Sequence, residues 1–157
     1  MSELSVSREV AVSPETLWEL ITNLDRSPNV ISAVTAVERL DDGTDFGVGT
    51  RWQETRLIFG KEATEVLEVT EIDPGRSYTV EAESLGAQYR SVISVDPAPG
   101  GSMITITFGA ESTGTVSKVL AGTIGKLFEG GTRKALVKDL DDIAVVAETE
   151  ICTSTVP

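Results

Sequence analysis

Along residues 4–12 apolar and polar side chains alternate, with Leu4, Val6, Arg8, Val10 and Val12 on one face and Ser5, Ser7, Glu9 and Ala11 on the other. A period of two with one mostly apolar face predicts a strand. The period then changes. Ser13-Pro14 sets an N-cap residue before proline at the first helical position, and Leu17, Leu20, Ile21 and Leu24 recur at i, i+3, i+4 and i+7. That spacing predicts a short amphipathic helix. Ser27-Pro28 repeats the start signal and predicts a second helical turn over 28–31, before a strand over 33–40.

Turn signals then recur regularly: Asp41-Asp42-Gly43 through Gly49, Gly60-Lys61, Asp73-Pro74-Gly75, Leu85-Gly86, and the stretch from Asp96-Pro97 to Gly100-Gly101. Between them, runs rich in Val, Ile, Thr, Tyr and Trp predict strands near 50–59, 61–72, 76–84, 87–96 and 102–112. Links this short cannot carry a parallel crossover, so the strands form an antiparallel meander. Over 115–148, Val116, Leu120, Thr123, Ile124 and Leu127 form one stripe, which Leu136, Leu140, Ile143 and Ala147 continue after Gly130-Gly131. This is a long C-terminal helix, and the paired glycines predict a kink or a close backbone approach. The whole reads as an α+β chain: a curved antiparallel sheet of about seven strands around a long C-terminal helix, with two short helices after strand 1. Residues 1–150 are expected to form a single domain, and the Thr-, Ser- and Pro-bearing tail 151–157 to be disordered.

Composition narrows the chemistry. A chain of 157 residues can bury one substantial core. Its formal charge of −12 repels phosphate backbones and anionic headgroups, so neither nucleic acid nor membrane insertion is expected. The sequence has no histidine, which excludes Ser-His-Asp and Cys-His schemes and removes the commonest metal ligand. Cys152 is the only thiol, so no intrachain disulfide or zinc cluster of the usual kind can form, and neither metal nor cofactor is expected. The opening Met1-Ser2-Glu3-Leu4-Ser5 lacks a basic region and an apolar run of signal-peptide length, and cytoplasmic residence is expected.

The order strand, two short helices, six strands, long helix resembles the START-like, birch-pollen-allergen (SRPBCC) superfamily with its helix-grip fold. Within it, the run from Arg8-Glu9-Val10 to Trp18-Glu19-Leu20-Ile21 is similar to the first strand and helix of the polyketide cyclase/dehydrase group. Gly49-Thr50-Arg51-Trp52, Val69-Thr70-Glu71-Ile72-Asp73-Pro74 and the segment from Leu120 to Leu140 are similar to that group too. The resemblance implies one shared cavity serving binders, carriers, cyclases and cochaperones. A cavity also has a physical cause. A sheet of six or seven strands curls under its twist, and one helix cannot fill the trough.

Alternation shows which side chains face that trough. Tyr78 and Val80 share the inward face of one strand, Tyr89 and Ile93 that of the next, and Ile106 and Phe108 that of the last. The strand from Arg51 to Phe59 is ambiguous, because both of its faces mix polarity. Aromatase/cyclase members have an inward tryptophan followed at i+4 by an inward arginine, and the resemblance implies that Trp52 and Arg56 take those places. Burying Arg56 costs several kcal/mol unless a carboxylate answers it, and Glu54 is the nearest candidate on the same face. Alternatively, Glu54 and Arg56 form a solvated pair on the convex surface. Leu120, Ile124 and Phe128 on the long helix complete the expected ligand-binding set, and Trp18 is read as sealing the first helix to the sheet.

Two motifs fail on chemistry. Gly47-Val48-Gly49 lacks the third glycine of a dinucleotide fingerprint and opens into a strand, so it reads as a flexible loop beside the pocket mouth. Gly125-Lys126 is followed by Leu127 where a phosphate-binding loop needs Ser or Thr. Asp139, Asp141 and Asp142 are scattered around the last helix and read as solvated charges, with Lys138 able to pair with Asp142 at i+4. The expected partner is a small hydrophobic molecule, lipid-like or polyketide-like. A cyclase or dehydratase using Arg56 with Glu54 or a tyrosine is the alternative, and a protein-interaction module of cochaperone or quinone-carrier type is a third reading. Oligomeric state is open.

Overall fold

The computed structural model describes residues 2–58, 60–84, 87–112 and 131–154. Strand β1 (Ser2–Val10) leads into helix α1 (Pro14–Ile21), a 3-10 turn (Leu24–Arg26) and the one-turn helix α2 (Ser27–Val30). Then come β2 (Val34–Arg39), β3 (Arg51–Ile58), β4 (Lys61–Asp73), β5 (Ser77–Ser84), β6 (Ala87–Ala98), β7 (Gly101–Ser112) and helix α3 (Gly131–Ser154). The architecture is a helix-grip fold. Ser13 caps α1, accepting the Thr16 N–H at 3.2 Å, with Pro14 opening the first turn. Several expected boundaries shift by a few residues: the first strand ends at Val10, short of residue 12, and α3 continues to Ser154, past residue 148. The helix expected from 115, including Leu120, Ile124, Phe128 and Gly130, lies outside the described residues up to its second half.

The strands form one antiparallel sheet in the order β1-β7-β6-β5-β4-β3-β2. The meander from β2 to β7 is the one the short links require. β1 joins its far edge beside β7, so the segment between residues 11 and 33 carries the chain from one edge of the sheet to the other. Register shifts fall between Val34 and Ala36 on β2 and between Val69 and Glu71 on β4. Such irregularities increase local twist and so deepen the concave face.

The main core joins Leu4, Val6 and Val10 of β1, Ile104 and Ile106 of β7, Leu17 and Leu20 of α1, and Leu140, Ile143, Ala144 and Ala147 of α3. Helix α3 is fastened on the β1 side. Arg8 pairs with Asp141, and the Ala11 N–H donates to Glu148 Oε2 at 2.9 Å. A second cluster of Leu24, Trp52, Val69 and Val80 lies toward β3–β5. Between the two clusters the trough is spanned by α1, the 3-10 turn and α2.

The β6–β7 hairpin brings Gly101 against the end of β1. Its φ is +139°, and an added Cβ would lie 2.7 Å from the carbonyl oxygens of both Val10 and Val12. Gly101→Ala is therefore expected to cost about 2 kcal/mol, read as a lower urea midpoint. Gly47→Ala, where no atom lies within 4 Å of the added carbon, should leave that midpoint unchanged.

Candidate functional site

A cavity of about 160 Å³ lies between the concave face, the α1–α2 segment and α3. That is close to the roughly 150 Å³ of an engineered apolar cavity that takes benzene. Most of its wall is apolar: Leu20, Leu24 and Val30 from the helical segment, Leu67 from β4, Val80 from β5, and Ile143 from α3. Of the residues the sequence singled out, Trp52, Glu54, Arg56, Tyr78, Val80, Ile93 and Ile106 all reach this wall. The face chosen for β3 is therefore the one that points inward.

Tyr89 and Phe108 are not on the wall. They lie farther along the concave face, stacked on each other with ring centroids 5.9 Å apart. Alternation gave their face but not their distance along the trough. Trp18 acts as a seal, meeting Tyr78 edge-on at 5.9 Å. Phe46, from the loop between β2 and β3, extends this aromatic row and meets Tyr78 edge-on at 4.9 Å and Trp52 at 6.3 Å.

That loop is tied down by one carboxylate, where the glycine pattern had suggested flexibility. Asp41 accepts Nε and Nη2 of Arg39 at 2.9 and 3.0 Å, and the N–H groups of Arg51 and Gly43 at 2.9 and 3.0 Å. Arg39 above all, then the backbone donors, hold the Asp41 carboxyl well below the usual carboxylate range. A depressed folded pKa gives stability that is present above the unfolded value and lost as pH falls through the folded one. Asp41→Asn should therefore lower the urea midpoint near neutral pH, and its gap from the unaltered chain should narrow below about pH 4.

Arg56 is the polar centre of the cavity. Nη1 donates to Asp139 Oδ2 at 2.7 Å, and Nε approaches Glu54 Oε2 at 3.4 Å. Burial opposes the charge of Arg56, but the Asp139 and Glu54 carboxylates outweigh it and raise its pKa. The pKa of its helix partner also rises, which for a carboxyl disfavours the charged form. Burial pushes the Asp139 carboxyl up, against the pull of Arg56. The imbalance has a structural cause, since Asp139 is only 4% exposed and its Oδ1 finds no hydrogen-bond partner among the described residues. Asp139 is thus not the solvated charge its spacing suggested. Asp142 does pair with Lys138 at 2.9 Å, and it also accepts the Ser32 N–H and Oγ–H at 3.0 and 2.7 Å.

The signal for Asp139 was present in the helix periodicity. It stands at i+3 from Leu136 and i−4 from Ile143, on the apolar stripe itself. A carboxylate there has no water to face and needs a cation opposite. Across β3 and β4, Glu65 stands in register with Glu54, and burial followed by the Glu54 charge raises its pKa. Burial likewise raises the Tyr78 phenol, with Glu54 adding to the effect, so it stays protonated. The Trp52 indole N–H is buried with no partner among the described residues.

A curved antiparallel sheet gripping a helix around a mostly apolar cavity is the helix-grip architecture, and the sequence matches the model of one family. The chain belongs to the polyketide cyclase/dehydrase and lipid transport family, whose model matches residues 1–148. No curated protein matches it. Among solved structures it is similar to TTHA0849 of Thermus thermophilus, with a TM-score of 0.77 and 16% identity over 95% of this chain and 99% of that one. It is also similar to major latex-like protein 151 of Panax ginseng, with a TM-score of 0.75 and 15% identity over 93% and 97% of the two chains. The di-domain ARO/CYC StfQ of the steffimycin biosynthetic pathway gives a TM-score of 0.75 and 12% identity, over 95% of this chain and 52% of that one. At these identities the likeness is one of fold. Among the described residues no helix is long and apolar enough to cross a membrane.

Proposed function

We propose that the protein binds a small hydrophobic molecule in the cavity between its sheet and α3, as a carrier working in the cytoplasm. The observation that carries this reading is the unfilled, mainly apolar space of about 160 Å³ with Trp52, Tyr78 and Val80 on its wall. Membership in a family described by lipid transport as well as cyclisation supports it. Native mass spectrometry of gently purified protein should show a bound small molecule. Val80→Trp, which puts a large ring into the cavity, should weaken toluene binding by about tenfold or more while leaving the circular dichroism unchanged. Undiminished toluene binding by a folded Val80→Trp protein would sink the proposal.

A second reading has a specific observation behind it, since Arg56, Glu54 and Tyr78 converge on the same cavity. In a cyclase or dehydratase, Arg56 would stabilise a developing oxyanion, and Glu54 or Tyr78 would move a proton. Two features favour binding over this chemistry. Arg56 is already held by Asp139 and Glu54, and the raised pKa of Tyr78 makes its proton hard to release.

A further inference from the structure

Among the described residues, the charged groups of the cavity wall are two acids and one base: Glu54 on β3, Asp139 on α3 and Arg56 between them. Glu65, in register with Glu54 on the neighbouring strand, adds a third carboxyl beside them. Arg56 already answers two carboxylates, with Nη1 on Asp139 at 2.7 Å and Nε on Glu54 at 3.4 Å. An anionic head group that took the place of either carboxylate would leave it buried and unanswered, and one that reached the remaining Nη2 donors would stand beside both carboxylates. Asp139 is the harder of the two to displace, because it is already nearly sealed and its Oδ1 has no partner among the described residues. Among the described residues the wall is net negative, so an entering anion is also repelled in a space where water screens little. A neutral hydroxyl meets neither obstacle and can donate to Glu54, whose side chain keeps 18% of its exposure.

We propose that this cavity sorts ligands by charge, admitting an apolar molecule with an uncharged hydroxyl head group and rejecting a carboxylate of the same size and shape. This rests on the ligand-binding reading above and adds to it the chemical class of the head group. The selectivity belongs to Glu54 and Asp139.

The test is a matched pair of single-ring probes, 4-ethylphenol and 4-ethylbenzoate, titrated into the full chain near neutral pH and followed by protein NMR. The phenol should bind about tenfold or more tightly than the benzoate. Glu54→Gln and Asp139→Asn, each removing one negative charge, should narrow that gap mainly by improving benzoate binding. Two independent variants are used so that a failure of one to fold still leaves the other. Benzoate binding as tight as phenol binding overturns the charge proposal and leaves the cavity reading standing. A gap unchanged in the folded variants also overturns it, because the preference would then come only from the general cost of dehydrating a carboxylate. If neither probe shifts any resonance of the cavity wall, the cavity reading fails and this proposal with it.

Discussion

Asp139→Ala is expected to cost about 3 kcal/mol of stability, more than a surface charge on a helix could. The substitution leaves the Arg56 guanidinium, whose side chain is 24% exposed, with Glu54 alone as its partner at 3.4 Å. Breaking one side of a buried pair is costly chiefly because the remaining charge keeps its dehydration without its partner. Replacing both sides by apolar groups should be far milder. In a Glu54→Gln background, which leaves no charged carboxylate without its cation beside residue 56, the double variant Arg56→Met with Asp139→Leu is therefore expected to recover most of the loss in urea denaturation. If Asp139→Ala matches the unaltered chain, or if the double variant is the sum of its parts, the pair does not fasten α3 to β3.

Leu140→Ala should cost a similar amount by a different route, about 3 kcal/mol from lost burial and the void left behind. Leu140 is 1% exposed in the core shared by β1, β7, α1 and α3. On the same helix, Val145 is 60% exposed, and Val145→Ala should change the urea midpoint by less than about 0.5 kcal/mol. Equal effects at the two positions would mean that α3 is not oriented on the sheet as described.

Much of the fold could be read from the chain because its signals are local. The Ser13-Pro14 cap, the i, i+3, i+4 spacing of α1, the Asp73-Pro74-Gly75 turn and the alternation of β5 to β7 are each written within a dozen residues. Much of the candidate site was legible by the same route, since alternation places Tyr78, Val80, Ile93 and Ile106 on the inner face. β3 was legible only in part. With polarity mixed on both faces, its local pattern leaves the direction of Trp52, Glu54 and Arg56 open, and the inward choice came from the resemblance. Position along the trough was not legible either. Tyr89 and Phe108 have the inward face but stack on each other away from the cavity wall, because a period of two reports a side and never a depth.

By itself, then, the sequence determined the element order, the inner faces of the regular strands, the absence of histidine chemistry and the acidic character of the chain. Those are properties of neighbouring residues or of composition. The tertiary structure alone decided that Arg56 meets Asp139, 83 positions away. It also decided that β1 closes against β7, and that the space left over is lined by Trp52, Val80 and Ile143. Each of these depends on the curvature of the sheet and the seating of α3, which are set by the packing of all the elements at once and by no stretch of sequence alone.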